Sequence, residues 1–235
     1  MPLAGQLSRL IPAERGREGV ADTNPLAVGA LLVDPYFFSF GTACTHYGLT
    51  DQVFAEIYIA CLRHRKPETV RGIRYVFAYL TQEQFFGFTG IQVMGETVQM
   101  ATRERALLDA VARPKFSGGL GEVSRMVLRT AKNLDWDALL GLLQRWGESA
   151  LVQRLGFLLD LHHIHVPRKK RLALQSMIRR GSKIHLAPRR KWGVSGCLSN
   201  PWNVIVNVPL EALLEKGDHP GRRAVFRKRG RVGDR

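Results

Sequence analysis

A mixed α/β fold, with a small mixed sheet packed against several helices and a basic C-terminal extension, is the class this sequence predicts. Three observations lead to it. Strand-type segments concentrate before Thr102, four helix-type segments follow one another from there to Leu161, and the charge changes abruptly near Val166. The strand-type segments are rich in β-branched and aromatic residues, whereas the helix-type segments repeat apolar residues every three or four positions between caps and stops.

Asn24, with Pro25 at the first turn, opens a helix through Leu32, and Ser39 caps a second that runs to Tyr47 and stops at Gly48. Val53 to Leu62 and Ile73 to Leu80 read as strands. Thr81-Gln82-Glu83-Gln84 has the spacing of a capping box, and Ile91 to Met94 with Thr97 to Ala101 form a hairpin around Gly95-Glu96.

The helix over Met100 to Arg113 is capped by Thr102, with Glu104 in the first turn, where the helix dipole favours an acid. Ala106, Leu107, Ala110 and Val111 make its buried face, leaving Arg103, Arg105 and Asp109 to be solvated or paired. Pro114 closes it and Ser117-Gly118-Gly119 turns the chain. Helices over Leu120 to Lys132, Trp136 to Trp146 and Ser149 to Leu161 follow, the last two capped by Asp135 and Ser149. Leu139, Leu142, Leu143 and Trp146 form one apolar stripe, and Leu151, Leu155, Leu158 and Leu159 another, so both helices bury those faces. Past Pro167, Lys169 to Arg180 forms a basic amphipathic helix with Leu172, Leu174, Met177 and Ile178 as its apolar residues, ended by Gly181. His185 to Val194 is loop, Trp202 to Val208 is a strand returning to the body, and the arginine-rich segment from Gly217 holds too few apolar residues to fold.

Composition and charge narrow the function classes. Hydrophobic residues make up 45% of the 235, yet no run approaches the ~20 apolar residues of a membrane helix, and no secretory leader opens the chain, so it is expected in the cytoplasm. Cys44, Cys61 and Cys197 are odd in number and widely spaced, which suits reduced, core-filling thiols better than disulfides or zinc ligands. Residues 1–165 hold 17 basic and 16 acidic residues, a net +1, while residues 166–235 hold 18 and 4, a net +14. The candidate contacts to phosphate backbones or an acidic partner are therefore Arg168, Lys169, Lys170, Arg171, Arg179, Arg180, Lys183, Arg189, Arg190 and Lys191.

Motifs for catalysis are missing from the sequence. There is no phosphate-binding loop ending in Gly-Lys-Ser/Thr, no dinucleotide fingerprint and no His-Glu-x-x-His. Gly181-Ser182 resembles the start of a nucleotidyltransferase site, but no Asp-x-Asp follows. His162, His163, His165 and His185 could in principle hold zinc, but neighbouring helical positions point apart and the surroundings are cationic. His46, Thr50 and Asp51 read as a turn rather than a catalytic set. Neither a metal nor a cofactor is expected, and the chain is expected not to be an enzyme.

Four segments in order carry a resemblance. They are Ser39 to Gln52, reading Ser39-Phe40-Gly41-Thr42-Ala43-Cys44-Thr45-His46-Tyr47-Gly48-Leu49-Thr50-Asp51-Gln52; Glu104-Arg105-Ala106-Leu107-Leu108-Asp109 with Pro114, Ser117-Gly118-Gly119 and Glu122; Ala150 to Asp160; and Trp202 to Val208. Together they resemble the AbiEi family, antitoxins of abortive-infection toxin-antitoxin systems. The resemblance implies a non-enzymatic protein that counters a nucleotidyltransferase-like toxin of AbiEii type and represses its own operon. In it Glu104, Asp109 and Glu122 are first-turn, pairing and surface charges. Residues 24–165 correspond to the domain core, 166–208 to its basic helix and closing strand, and 209–235 to a basic tail. Family members usually begin with a winged helix-turn-helix; only residues 1–23 precede Asn24 here, a wing remnant or a linker, so operator reading by such a domain does not carry over. The alternative is a nucleic-acid-binding regulator that acts through the basic C-terminal region.

Overall fold

The Asn24 side chain starts the first helix by accepting from the Leu26 N–H at 3.0 Å, and its amide donates to the Val93 carbonyl at 2.8 Å, tying that helix to a distant strand. The computed structural model describes residues 24–198 and 200–214, so the expected wing remnant or linker and the segment from Gly217 lie outside the described residues. In chain order the elements are α1 (Pro25–Leu32), β1 (Tyr36–Phe38), α2 (Phe40–His46), β2 (Glu56–Cys61), β3 (Glu68–Val70), β4 (Ile73–Tyr79), β5 (Phe88–Val93) and β6 (Glu96–Ala101). Then come α3 (Arg103–Ala112), α4 (Leu120–Thr130), α5 (Trp136–Trp146), α6 (Ser149–Leu161), α7 (Arg168–Ser176), β7 (Ile184–His185), α8 (Arg189–Trp192) and β8 (Val204–Ile205). The fold is mixed α/β, as the sequence predicts.

Six strands form one mixed sheet in the order β3-β4-β2-β1-β6-β5, with β2/β4 and β1/β6 parallel and the other neighbours antiparallel. Two of its strands escape the sequence pattern. Both β1 and β3 have three residues, too few to display an alternation, yet β1 is internal and its Phe37 and Phe38 are fully buried, facing Ala60 and Ile59 of β2 across the ladder. Met100 and Ala101, which fall in both the predicted hairpin and the predicted helix, belong to β6: Met100 pairs with Phe38, and α3 starts after its predicted cap Thr102. Thr102 accepts from the Arg105 N–H, and Asp135 accepts from the Asp137 and Ala138 N–H groups at 2.9 and 3.0 Å.

Helix α3 is the hub of the helical layer, packing against α2, α4, α5 and α6. Its Ala106, Leu107, Ala110 and Val111 are buried as predicted, along with Leu139 and Leu143 of α5 and Leu151, Leu155, Leu158 and Leu159 of α6. Two predicted caps act differently: the Ser39 hydroxyl leaves its own helix, and Ser149 lies inside α6, where its hydroxyl accepts from the Arg179 N–H at 3.0 Å.

The C-terminal third departs most from expectation. The predicted basic helix ends at Ser176 rather than Arg180, the predicted loop over residues 185–194 begins on the last residue of β7 and contains α8, and the closing strand is two residues long. That strand pairs with β7 in a separate parallel ribbon and does not join the main sheet. Part of the predicted tail is packed: Leu213 is buried, and the Ala212 carbonyl lies 2.6 Å from where a Cβ on Gly121 would stand. Among the described residues no helix is long and apolar enough to cross a membrane.

Candidate functional site

Polar residues of the four matched segments meet in pairs inside the protein. Ser39 Oγ donates to Asp109 Oδ2 at 2.5 Å, and Arg105 Nε donates to the same oxygen at 3.0 Å. Arg105 Nη1 reaches the Phe86 carbonyl at 3.0 Å, and its guanidinium lies 4.2 Å from the Trp146 ring, 4.7 Å from Phe86 and 5.6 Å from Phe37. Neither charge is solvated, with side-chain exposures of 0% and 1%. The choice left open by sequence is settled as pairing in the core.

Glu122, expected at the surface, is buried: Thr50 Oγ1 donates to its Oε1, and Arg125 donates to Oε2 from Nε at 2.9 Å and Nη2 at 2.5 Å. Asp51 pairs with Arg129 of α4, which holds its carboxyl below the usual range, and His46 lies edge-on to Tyr47. In the third pair, Asp160 Oδ2 accepts from Trp202 Nε1 at 2.7 Å, and Arg171 grips both carboxylate oxygens at 2.6 and 2.8 Å. The Trp202 ring covers Gly156, where a Cβ has no room. Beside it the buried Gln153 amide donates to the Trp202 carbonyl at 2.9 Å and accepts from Ser182 Oγ at 3.0 Å.

These contacts sort the predicted basic residues. Arg171, at the start of α7, meets Asp160 near the end of α6, and Arg179, just past α7, meets Ser149 at the start of α6, so the two helices run antiparallel. Arg171 and Lys170 are consumed there, Lys170 pairing with Asp137 of α5. Both carry an ion pair within the chain, a partner that the sequence alone did not assign to them. Arg168, Lys169, Arg179, Arg180, Lys183, Arg189, Arg190 and Lys191 are exposed.

Lys191 does not act alone. It lines a cavity of about 460 Å³ with Arg113, Lys115, Arg154 and Trp192, between the end of α3, the start of α4, α6 and α8. A second cavity, about 600 Å³, shares Arg113 and Lys115 and adds His64, Arg65, Lys66, Phe77, Tyr79 and Phe116. Among the described residues no acid lines either one. Aromatic rings stand among the cations: Lys115 Nζ is 4.6 Å from the Phe116 ring, Lys191 Nζ is 5.7 Å from the Trp192 ring, and His64 stacks on Tyr79 at 3.9 Å. Arg113 donates to the Tyr79 carbonyl at 2.7 Å, and Arg65 is held by Glu68 at 3.0 Å. Burial pulls the Arg154 guanidinium below its usual value, with Glu148 partly offsetting that.

Sequence reading missed Arg113, Lys115, Arg154 and Lys66 because all lie in the stretch of near-zero net charge. One signal was present: Arg154 is the lone cation in the apolar run from Leu151 to Leu159. The arrangement can hold anions and stack rings. The four histidines are dispersed: His162 bonds Ser124 at 2.7 Å, His185 lies 3.1 Å from the Val194 carbonyl, and among the described residues no three His, Cys, Asp or Glu side chains converge as a metal set. Cys44 and Cys61 are buried as expected, while Cys197 is exposed, contrary to its reading as a core thiol.

Comparison with protein families finds no matching family model, and comparison with curated proteins finds no match. Among solved structures, the RV2827C protein from Mycobacterium tuberculosis is similar at a TM-score of 0.49 and 12% identity. The alignment covers 72% of this chain and 61% of that one, so this chain spans less than two thirds of that protein's length.

Proposed function

We propose that this chain is an antitoxin-like protein of an abortive-infection system, acting in the cytoplasm to counter a nucleotidyltransferase-type toxin without catalysing a reaction. The supporting observation is the pairwise meeting of the AbiEi-like segments: Ser39 with Asp109, Thr50 with Glu122, and Asp160 with Trp202. Residues of these segments are also polar joints between its elements, the first two pairs buried and the third partly so. A resemblance confined to composition would leave such residues scattered on the surface. Co-expression with the toxin encoded next to it should restore growth of cells arrested by that toxin. Continued arrest with folded chain present overturns the reading.

A second reading, a nucleic-acid-binding regulator, is favoured by the basic cavities on either side of Arg113 and Lys115. Cations tracking a backbone with aromatic rings between them suit a polynucleotide. Affinity for DNA should then fall with salt, by ~0.9 log units per phosphate contact for each log unit of salt. A salt-independent affinity would remove this reading.

A further inference from the structure

We infer that the cavity between α3, α4, α6 and α8 binds a nucleotide, taking its phosphates on Arg113, Arg154 and Lys191 and its base against Trp192. The cavity's about 460 Å³ falls within the ~300–1,000 Å³ of small-molecule sites. Its charge and its apolar lining select together. Arg113, Lys115, Arg154 and Lys191 face it, with no acid in the wall among the described residues, so an occupant of several negative charges complements it. Arg154 has no hydrogen-bond partner among the described residues, and its burial disfavours the charge it carries, which an anion in the cavity would relieve.

Leu120 brings the first turn of the 11-residue α4 to the same wall, and with it a helix N-terminus that favours negative charge, although the Gly119 N–H is already taken by the Pro114 carbonyl at 2.8 Å. Glu122 in that turn does not cancel the effect, because Arg125 and Thr50 hold it. The rest of the lining is apolar and aromatic: Ala112, Pro114, Leu120, Leu186, Pro188 and the ring of Trp192, which is 40% exposed. Inorganic phosphate would leave that surface bare, and a fatty acid would answer one cation only. A base, a sugar and two or more phosphates answer both. The nucleotide is either free or the 5′-phosphorylated end of a strand. This site does not depend on toxin neutralisation.

The test is calorimetric titration of the full chain with ATP, adenosine, pyrophosphate, an acidic peptide, and a pentanucleotide with and without a 5′-phosphate. Saturable one-site binding of ATP is expected, with adenosine and pyrophosphate each at least tenfold weaker, and with quenching of fluorescence that Trp192→Leu abolishes. Arg154→Met should weaken ATP by roughly tenfold or more, the loss of a charge-assisted contact. Lys191→Met, on an exposed helix, gives the same readout should Arg154→Met fail to fold. A pentanucleotide that needs its 5′-phosphate and outcompetes ATP identifies the strand end as the source; the reverse order identifies the free nucleotide. Absence of saturable ATP binding, equal binding of the acidic peptide, or unchanged ATP affinity in the folded variants overturns the proposal.

Discussion

Arg105 and Arg154 are both largely withdrawn from water, one on α3 and one on α6, and they differ in what surrounds them. Around Arg105 stand Asp109, the Phe86 carbonyl and three aromatic rings. Arg154 has the charge of Glu148, with no hydrogen bond to it among the described residues, and a cavity shared with three more cations. A buried cation that finds its partners inside the protein holds the fold; one that faces a cavity without them is available to a ligand. The same division separates Arg171, gripped by Asp160, from the exposed Lys191 beside the cavity.

The largest expected effect is at the partnered end of this comparison. Asp109→Ala strands Arg105 in the core and should cost about 3–5 kcal/mol, enough to unfold a marginal domain. Urea unfolding reads this directly, and a loss below ~1 kcal/mol would mean that the pair does not join the helical layer to Ser39. Next comes Gly156→Ala, which pushes a methyl into the Trp202 ring and should cost about 1–3 kcal/mol, with a blue- or red-shifted Trp202 emission marking its displacement. A stable variant with unaltered emission would deny that Trp202 locks the closing segment onto α6.

Arg171→Met is smaller, about 1 kcal/mol, because the Asp160 pair is partly exposed. The smallest effect is chemical. In the native chain a thiol reagent should label Cys197 rapidly while Cys44 and Cys61 stay protected, since burial removes both from solvent and raises their thiols. Equal labelling of all three under native conditions would show that the β2 and α2 core opens readily.

How far the sequence revealed this arrangement depends on the range over which each feature is encoded. Asn24, Thr102 and Asp135 cap as expected because a cap is decided within four residues. The stripes on α5 and α6 were legible for the same reason. The place of β1 was not, since a three-residue strand takes its identity from Ile59, Ala60 and Met100, brought beside it by the fold. Ser39 shows the same limit: its hydroxyl answers Asp109, 70 positions away, instead of its own helix.

Charge was legible only in part. Of the C-terminal basic residues named as candidate contacts, Arg168, Lys169, Arg179, Arg180, Lys183 and Arg189 to Lys191 are exposed, while Lys170 and Arg171 also pair with Asp137 and Asp160. The stretch of near-zero net charge hid the cavity cations, because cancellation along a sequence says nothing about which side chains share a wall in space. Arg113, Lys115, Arg154 and Lys191 meet only after α3, α4 and α6 pack.

The division between holding and binding charges is tested most directly by two single variants, Arg171→Met and Lys191→Met. For each, the urea midpoint and the affinity for a short DNA duplex across a salt series are measured on the same preparation. Arg171→Met should lower the midpoint and leave the salt slope unchanged, while Lys191→Met should leave the midpoint unchanged and reduce the slope by about 0.9, one phosphate contact. A lowered slope with an intact midpoint for Arg171→Met, or a lowered midpoint for Lys191→Met, would contradict it.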